Sequence, residues 1–304
     1  MGSGRGRWAI ALVVCAAALV GGCTDRSTTA ARLAPPESTN PFRIGRPLII
    51  PHGGGDGMFP EDTLYAYEHS MAMGGDVVDL DVQLTMDGIP IAFHDDTLER
   101  TTNGHGPVET KTYAELSRLD AGYNFTTDGT THPFRGRRLL IPTIKSVLNA
   151  FPHKLVTLDL KDLRVAAVAP LCTLLESLHR TNDVYIGVDT AEQVNQFRQL
   201  CPEVATSGTD AERQAQRAAR AAGDTSFVSH QLVAQPEYIG PDGTRRITPA
   251  YLAFAHRSNT AVLTWVVDDA ADMTNLIDLG IDGIYTRRPD VLVALMKKTG
   301  ILTP

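Results

Sequence analysis

From Leu48 onward, short apolar runs alternate with segments of helical length, and this alternation constrains the chain more than any other feature. Runs at 48–51, 77–82, 155–160, 184–188, 204–206, 226–229, 262–266 and 283–285 have the length and composition of buried strands. Helix-length patterns lie between most of them, as at 62–73, 191–200, 249–257 and 272–279. Parallel strands need such crossovers, so the pattern predicts an α/β fold. Eight runs with intervening helices predict a (β/α)8 TIM barrel, and 304 residues leave room for one such domain.

One further run, 89–93, follows the second strand too closely for a crossover, and Asp87-Gly88 suits a tight turn. It is expected to fold back as a hairpin and carry His94 to the barrel mouth. Residues 97–140 are rich in turns, with a short helical pattern at 113–119, and read as a small insertion after the second strand, lying over that mouth. The Arg/Ala stretch at 211–222 reads as the solvated face of a helix.

In such a barrel the active site is built at the C-terminal ends of the strands. That rule brings His52, Asp79, Asp81, Asp159 and Lys161 together, with His94 added by the hairpin. Asp79 and Asp81 are two apart, so on a strand they share a side. Unpaired carboxylates in a barrel interior would repel each other and lose hydration, and a divalent cation relieves both costs. Oxygen ligands favour Ca²⁺ or Mg²⁺; zinc is the competitor, but no His-rich or Cys-rich spacing supports it. A formal charge of −7 argues against nucleic acid as a partner, while a bound cation would still admit an anionic small molecule.

Read together, these segments resemble the glycerophosphodiester phosphodiesterase family. Its pattern runs H-R-G, P-E-N-T, E-x-D, T-x-D-G-x-x-V-x-H-D, R-T-T-x-G, E-x-K, W-T-V-N and G-x-D-G-I-x-T-D-x-P. The chain offers His52-Gly53-Gly54, Pro60-Glu61-Asp62-Thr63, Asp79-Leu80-Asp81, Thr85-Met86-Asp87-Gly88 leading to His94-Asp95, and Arg100-Thr101-Thr102-Asn103-Gly104. Asp159-Leu160-Lys161, Trp265-Val266-Val267-Asp268 and the stretch from Gly280 through Asp282 and Thr286 to Pro289 follow in order. The resemblance implies a barrel with a small insertion that hydrolyses glycerophosphodiesters to glycerol 3-phosphate and an alcohol. It implies His52 and His94 as the acid–base pair, His52 the base and His94 the acid. It further implies one divalent cation held by Asp79, Asp81 and Asp159 with Glu61, Lys161 on the phosphate, and Trp265 beside the glycerol.

The chain also departs from the pattern. Gly53 replaces the arginine of H-R-G, and Asp79 and Asp159 are each one methylene shorter than the usual Glu. Arg287 stands where the family has Asp and is expected at the surface. Asp159 with Lys161 is similar to the sphingomyelinase D branch, so a phospholipase D-like activity on lysophospholipid or sphingomyelin is the alternative. A non-catalytic surface binding protein on a degenerate barrel is the other.

At the N-terminus, Arg5 and Arg7 precede an apolar run shorter than a spanning helix needs, the layout of a secretory signal over 1–22. Val20-Gly21-Gly22-Cys23 resembles a bacterial lipobox, which implies lipidation at Cys23, export, and membrane anchoring through the lipid. Residues 23–46 then read as a flexible tether and 47–304 as the phosphodiesterase domain. Cys172 and Cys201 are left as either a disulfide or two buried thiols.

Overall fold

The computed structural model describes residues 38–303; the expected signal segment and Cys23 lie outside them. The strands are β1 (Leu48–Pro51), β2 (Val77–Leu84), β3 (Pro90–Ala92), β4 (Leu155–Leu160), β5 (Val184–Val188), β6 (Ala205–Thr206), β7 (Val233–Ala234), β8 (Ala261–Thr264) and β9 (Gly283–Thr286). They form two sheets, in the order β1-β9-β8-β7 and β3-β2-β4-β5-β6. Among the described residues every pairing of named strands is parallel except that of β3, which returns antiparallel on β2 as the Asp-Gly turn requires. The eight parallel strands and their crossovers make the (β/α)8 barrel.

The helices are α1 (Leu64–Met73), α2 (Tyr113–Leu116), α3 (Ile144–Ala150), α4 (Val168–Ser177), α5 (Ala191–Leu200), α6 (Asp210–Ala221), α7 (Pro249–Arg257), α8 (Ala270–Leu279) and α9 (Pro289–Lys298). Thr63, Thr143, Thr190, Thr209 and Thr248 cap the starts of α1, α3, α5, α6 and α7, each accepting from the backbone N–H three residues on. Apolar side chains of β2, β4 and β5 pack outward on α3, α4 and α5, and those of β1, β8 and β9 on α7, α8 and α9. A disulfide joins Cys172 on α4 to Cys201 beyond α5, with the Cα atoms 6.0 Å apart.

Three expectations need correction. Residues 38–46 are not a loose tether. Asn40 Nδ2 donates to the carbonyls of Leu232 and Asn259, both at 2.7 Å, and Phe42 is fully buried among Leu48, Val77 and Ala261, which begin their strands. The sixth barrel strand is Val233–Ala234, not 226–229. At the expected place Asp224 takes the Ser226 N–H and hydroxyl at 2.8 and 2.6 Å, so the side chain competes with ladder formation. Finally, no residue of 97–140 lines the principal cavity. That insertion instead closes its own core from Leu98, Val108 and Leu116 against Ile91 and Phe93.

Candidate active site

The site begins where β1 ends. Chain direction changes at His52-Gly53-Gly54, with Gly53 at φ +51° and Gly54 at φ +84°, both in the left-handed region. A Cβ on Gly54 would come within 2.7 Å of the Ala66 Cβ, so only glycine lets the turn lie against α1. The turn is tied inward: Gly53 N–H donates to Asp79 Oδ2 at 3.3 Å, and Asp62 N–H donates to the Gly53 carbonyl at 2.9 Å.

All eight residues of β2 are buried, which places Asp79 and Asp81 in the barrel wall with little water. Asp79 Oδ1 accepts from the Thr157 hydroxyl at 2.7 Å, across the β2–β4 ladder where the two residues are register partners. Burial pushes the Asp79 carboxyl up to about 6, held back by His52 and by the bonds from Thr157 and Gly53. Asp81 is the register partner of Asp159, and Lys161 Nζ sits between them at 3.1 and 2.5 Å. Burial works against that ammonium, but Asp81 and Asp159 outweigh it and hold the proton on Lys161 more tightly than usual.

His52 Nδ1 lies 3.5 Å from Asp56 Oδ2. Its burial opposes a positive charge, yet the neighbouring carboxylates of Asp56, Asp79 and Asp81 push the imidazole up to about 9. His94 arrives from the hairpin, where Phe93 N–H extends the ladder to the Asp81 carbonyl at 2.9 Å. The His94 Nδ1 pairs with Asp95 Oδ1 at 2.7 Å, and Arg100 grips Asp95 through Nε and Nη2 at 2.6 and 2.8 Å. Burial opposes the Asp95 charge, but Arg100 and His94 outweigh it and hold the carboxyl below its ordinary range. A charged Asp95 makes His94 Nδ1 the donor and leaves Nε2 for chemistry. The same Arg100 reaches Glu61 Oε2 at 2.6 Å.

The predicted residues His52, Asp79, Asp81, His94, Asp159, Lys161 and Trp265 all line one cavity of about 1040 Å³. Glu61 does not line it. Among the described residues, Glu61, Asp62 and Asp81 offer oxygens all within 4.8 Å of one another; Glu61 and Asp81 belong to the predicted ligands, and Asp62 is the addition. Asp62 Oδ1 accepts from the Tyr67 hydroxyl at 2.6 Å, while the buried Oδ2 has no hydrogen-bond partner. Burial, then Asp81 and Glu61, raise its proton affinity well above normal. An orphaned buried carboxylate oxygen beside two further carboxylates is a donor set that suits a hard divalent cation.

Reading the sequence missed Asp62, Thr157, Arg100 and a group of arginines on α6. Asp62 was visible as the departure in Pro-Glu-Asp-Thr, and Arg100 in the Arg-Thr-Thr segment. The α6 side chains Arg213, Gln216, Arg217 and Arg220 line the cavity, so that helix face is not simply solvated as expected. Arg287 does stay outside the cavity, paired with Asp268 through Nε at 2.6 Å.

The sequence signature of the Glycerophosphoryl diester phosphodiesterase family matches residues 52–291, most of the chain. The chain belongs to that family. A glycerophosphodiester phosphodiesterase of Caldanaerobacter subterraneus is 28% identical over 260 residues, spanning 83% of this chain and 99% of its own. One from Bacillus subtilis is 28% identical over 271 residues, 85% of this chain and 88% of the relative. Among solved structures, the corresponding domain of a Mycobacterium tuberculosis protein superposes with a TM-score of 0.72 at 24% identity, covering 83% of this chain and 99% of that one. A phosphodiesterase of Oleispira antarctica, solved with the product sn-glycerol-3-phosphate, superposes at 0.66 with 22% identity, covering 83% and 97%. Its membership makes this chain a glycerophosphodiester phosphodiesterase, a phosphoric diester hydrolase.

Proposed function

We propose that the enzyme converts glycerophosphodiesters to glycerol 3-phosphate and an alcohol, using one divalent cation, Ca²⁺ or Mg²⁺, and the pair His52 and His94. The observation that carries this reading is the shared cavity: two histidines, a lysine and the carboxylates of β2 and β4 face the same space. The Oleispira antarctica relative, bound to sn-glycerol-3-phosphate, supports the product assignment.

The cation would be held by Asp81 with carboxylates drawn from Asp79, Asp159, Glu61 and Asp62. When bound, it supplies charge neutralisation for the phosphodiester and for the oxygens that gain charge in the transition state. Lys161, placed between Asp81 and Asp159, would hold a phosphate oxygen. His52, which faces the same cavity, would take the proton from the attacking hydroxyl. Asp95 fixes the His94 ring through Nδ1, which would aim Nε2 to deliver a proton to the leaving oxygen. Gly53 adds no cation of its own. A side chain there would adopt φ +51° with its Cβ 3.0 Å from the Glu61 Cγ, so the turn disfavours the arginine that the resemblance implies.

The test is hydrolysis of glycerophosphocholine and glycerophosphoglycerol with Ca²⁺, Mg²⁺, Zn²⁺ or EDTA. Turnover that survives EDTA after exhaustive dialysis would remove the cation from the proposal. We further propose that the enzyme is exported and anchored through lipidated Cys23. Labelling with a radioactive fatty acid checks this, and the label should vanish in Cys23→Ser.

A further inference from the structure

The cavity has a second lining that the proposed chemistry leaves unused. Helix α6 presents Arg213, Arg217 and Arg220 to it, at spacings of four and three residues that stack side chains on one face. The stripe is roughly 10 Å long at 1.5 Å per residue, longer than one phosphate and close to the reach of a head group. Like charges so spaced destabilise a helix unless something neutralises them. Neutralisation from within is partial. Arg213 pairs with Asp210 at 2.7 Å and also donates to the Gly208 carbonyl. Among the described residues, Arg217 and Arg220 have no ion-pair partner, and Arg220 lies over the Tyr251 ring at 4.7 Å. Beyond β7 in the chain, Arg246 also lines the cavity, bound to Glu237 at 2.8 Å.

We propose that Arg213, Arg217 and Arg220 form a subsite for a second negative charge on the substrate, so that the preferred glycerophosphodiester carries a further phosphate in its alcohol part. This rests on the proposed diesterase reading for its orientation. The glycerol side of such a substrate has only free hydroxyls, so an additional anion belongs to the alcohol. Two charged forks on one helix face match phosphate oxygens better than they match a cationic head group, which they repel. In a protein of formal charge −7, a cationic stripe inside the substrate cavity also focuses anions there.

The test compares bis(glycerophospho)glycerol with glycerophosphoglycerol, which differ by one glycerophosphate unit. The metal-loaded enzyme should have a kcat/KM at least about 10-fold higher for the former at low salt, and the preference should shrink as salt screens it. In Arg217→Glu/Arg220→Glu the ratio of the two kcat/KM values should fall at least about 10-fold, and Arg217→Lys/Arg220→Lys should recover part of it. Binding of bis(glycerophospho)glycerol in EDTA, followed by calorimetry, should weaken in the Glu variant by a similar factor. Circular dichroism checks that α6 stays folded, and Arg217→Gln/Arg220→Gln replaces the Glu pair if it does not. Weakened binding without hydrolysis of any diester would keep the subsite and discard the diesterase reading. Hydrolysis with no preference for the longer anion, or a ratio and affinity that the variants do not move, would overturn the subsite.

Discussion

The two sides of the cavity are built on opposite principles. On one side, Asp79, Asp81 and Asp159 sit on strands, the first two buried and the third half-buried, and their oxygens are held by Thr157, Gly53 and Lys161 at hydrogen-bond distances. On the other, Arg217 and Arg220 sit on a helix whose only buried residue is Ala219. The first arrangement fixes reacting groups at the cost of burying like charges. The second costs little to build and leaves cations solvated until something displaces the water. Chemistry needs the rigid side, because a small misplacement of reacting atoms is expensive. Selection among substrates needs only net attraction, so an exposed helix suffices.

The largest effects should come from the rigid side. His52→Ala and His94→Ala should each lower kcat at least about 100-fold, the usual size of general acid–base catalysis, measured with saturating cation and glycerophosphoglycerol. Full activity in either variant would move the chemistry elsewhere. Arg100→Ala tests whether that rigidity extends behind the cavity, since Arg100 ties Asp95, and through it His94, to Glu61. Outer partners of this kind are typically worth about 10–100-fold in activity or metal affinity. A positioning role predicts that Arg100→Ala lowers kcat with little change in KM and that Arg100→Lys restores part of kcat. A loss confined to thermal stability would make Arg100 structural only.

Much of the rigid side was legible because strand ends are marked twice, by an apolar run and by the polar residue that stops it. His52 follows that rule after β1 and Asp159 nearly does at the end of β4, while Asp79 and Asp81 stood out as carboxylates two apart within the apolar run of β2, and the Asp-Gly turn placed His94. The helical side was not legible. A stripe at four and three residues shows that arginines share a face, yet nothing local says whether that face meets solvent or a cavity. The strand β7 was hidden for a related reason: it has two residues, and Pro236 follows soon after. Asp62 escaped because its role depends on Asp81, which lies in a different element and packs against it only in the folded barrel.

The metal-free protein offers a pH test of the buried charge. His52, pushed up to about 9, and Asp79, pushed up to about 6, both bind protons more tightly folded than unfolded. Stability tied to such groups is present below their unfolded values and is lost as pH rises through the folded ones. In EDTA, Tm should therefore fall from about pH 4 to 6 as Asp79 ionises, and again from about 6.5 to 9 as His52 loses its proton. A saturating cation should flatten the fall, because it replaces the protons. A profile equally steep with and without cation would place the binding site away from Asp79 and His52.

The smallest effect is the one that most sharpens the contrast between the two sides. Asp62 is buried with an unpartnered Oδ2 and two carboxylates close by, so in the absence of a cation its charge is a net cost. Asp62→Asn keeps the oxygen that accepts from Tyr67 and turns the orphaned position into an N–H facing Glu61 and Asp81. The variant should melt a few degrees higher than the parent in EDTA, about what 1 kcal/mol gives in a domain of this size. It should also gain less Tm on adding Ca²⁺ or Mg²⁺, since one oxygen ligand is gone. No comparable trade exists on α6, where Arg217→Gln removes a cation that is already hydrated and should leave the stability within about 0.5 kcal/mol of the parent. If Asp62→Asn lowered the metal-free Tm instead, its carboxylate would be stabilising, and the group of Glu61, Asp62 and Asp81 would be a hydrogen-bonded part of the wall with no claim on a cation.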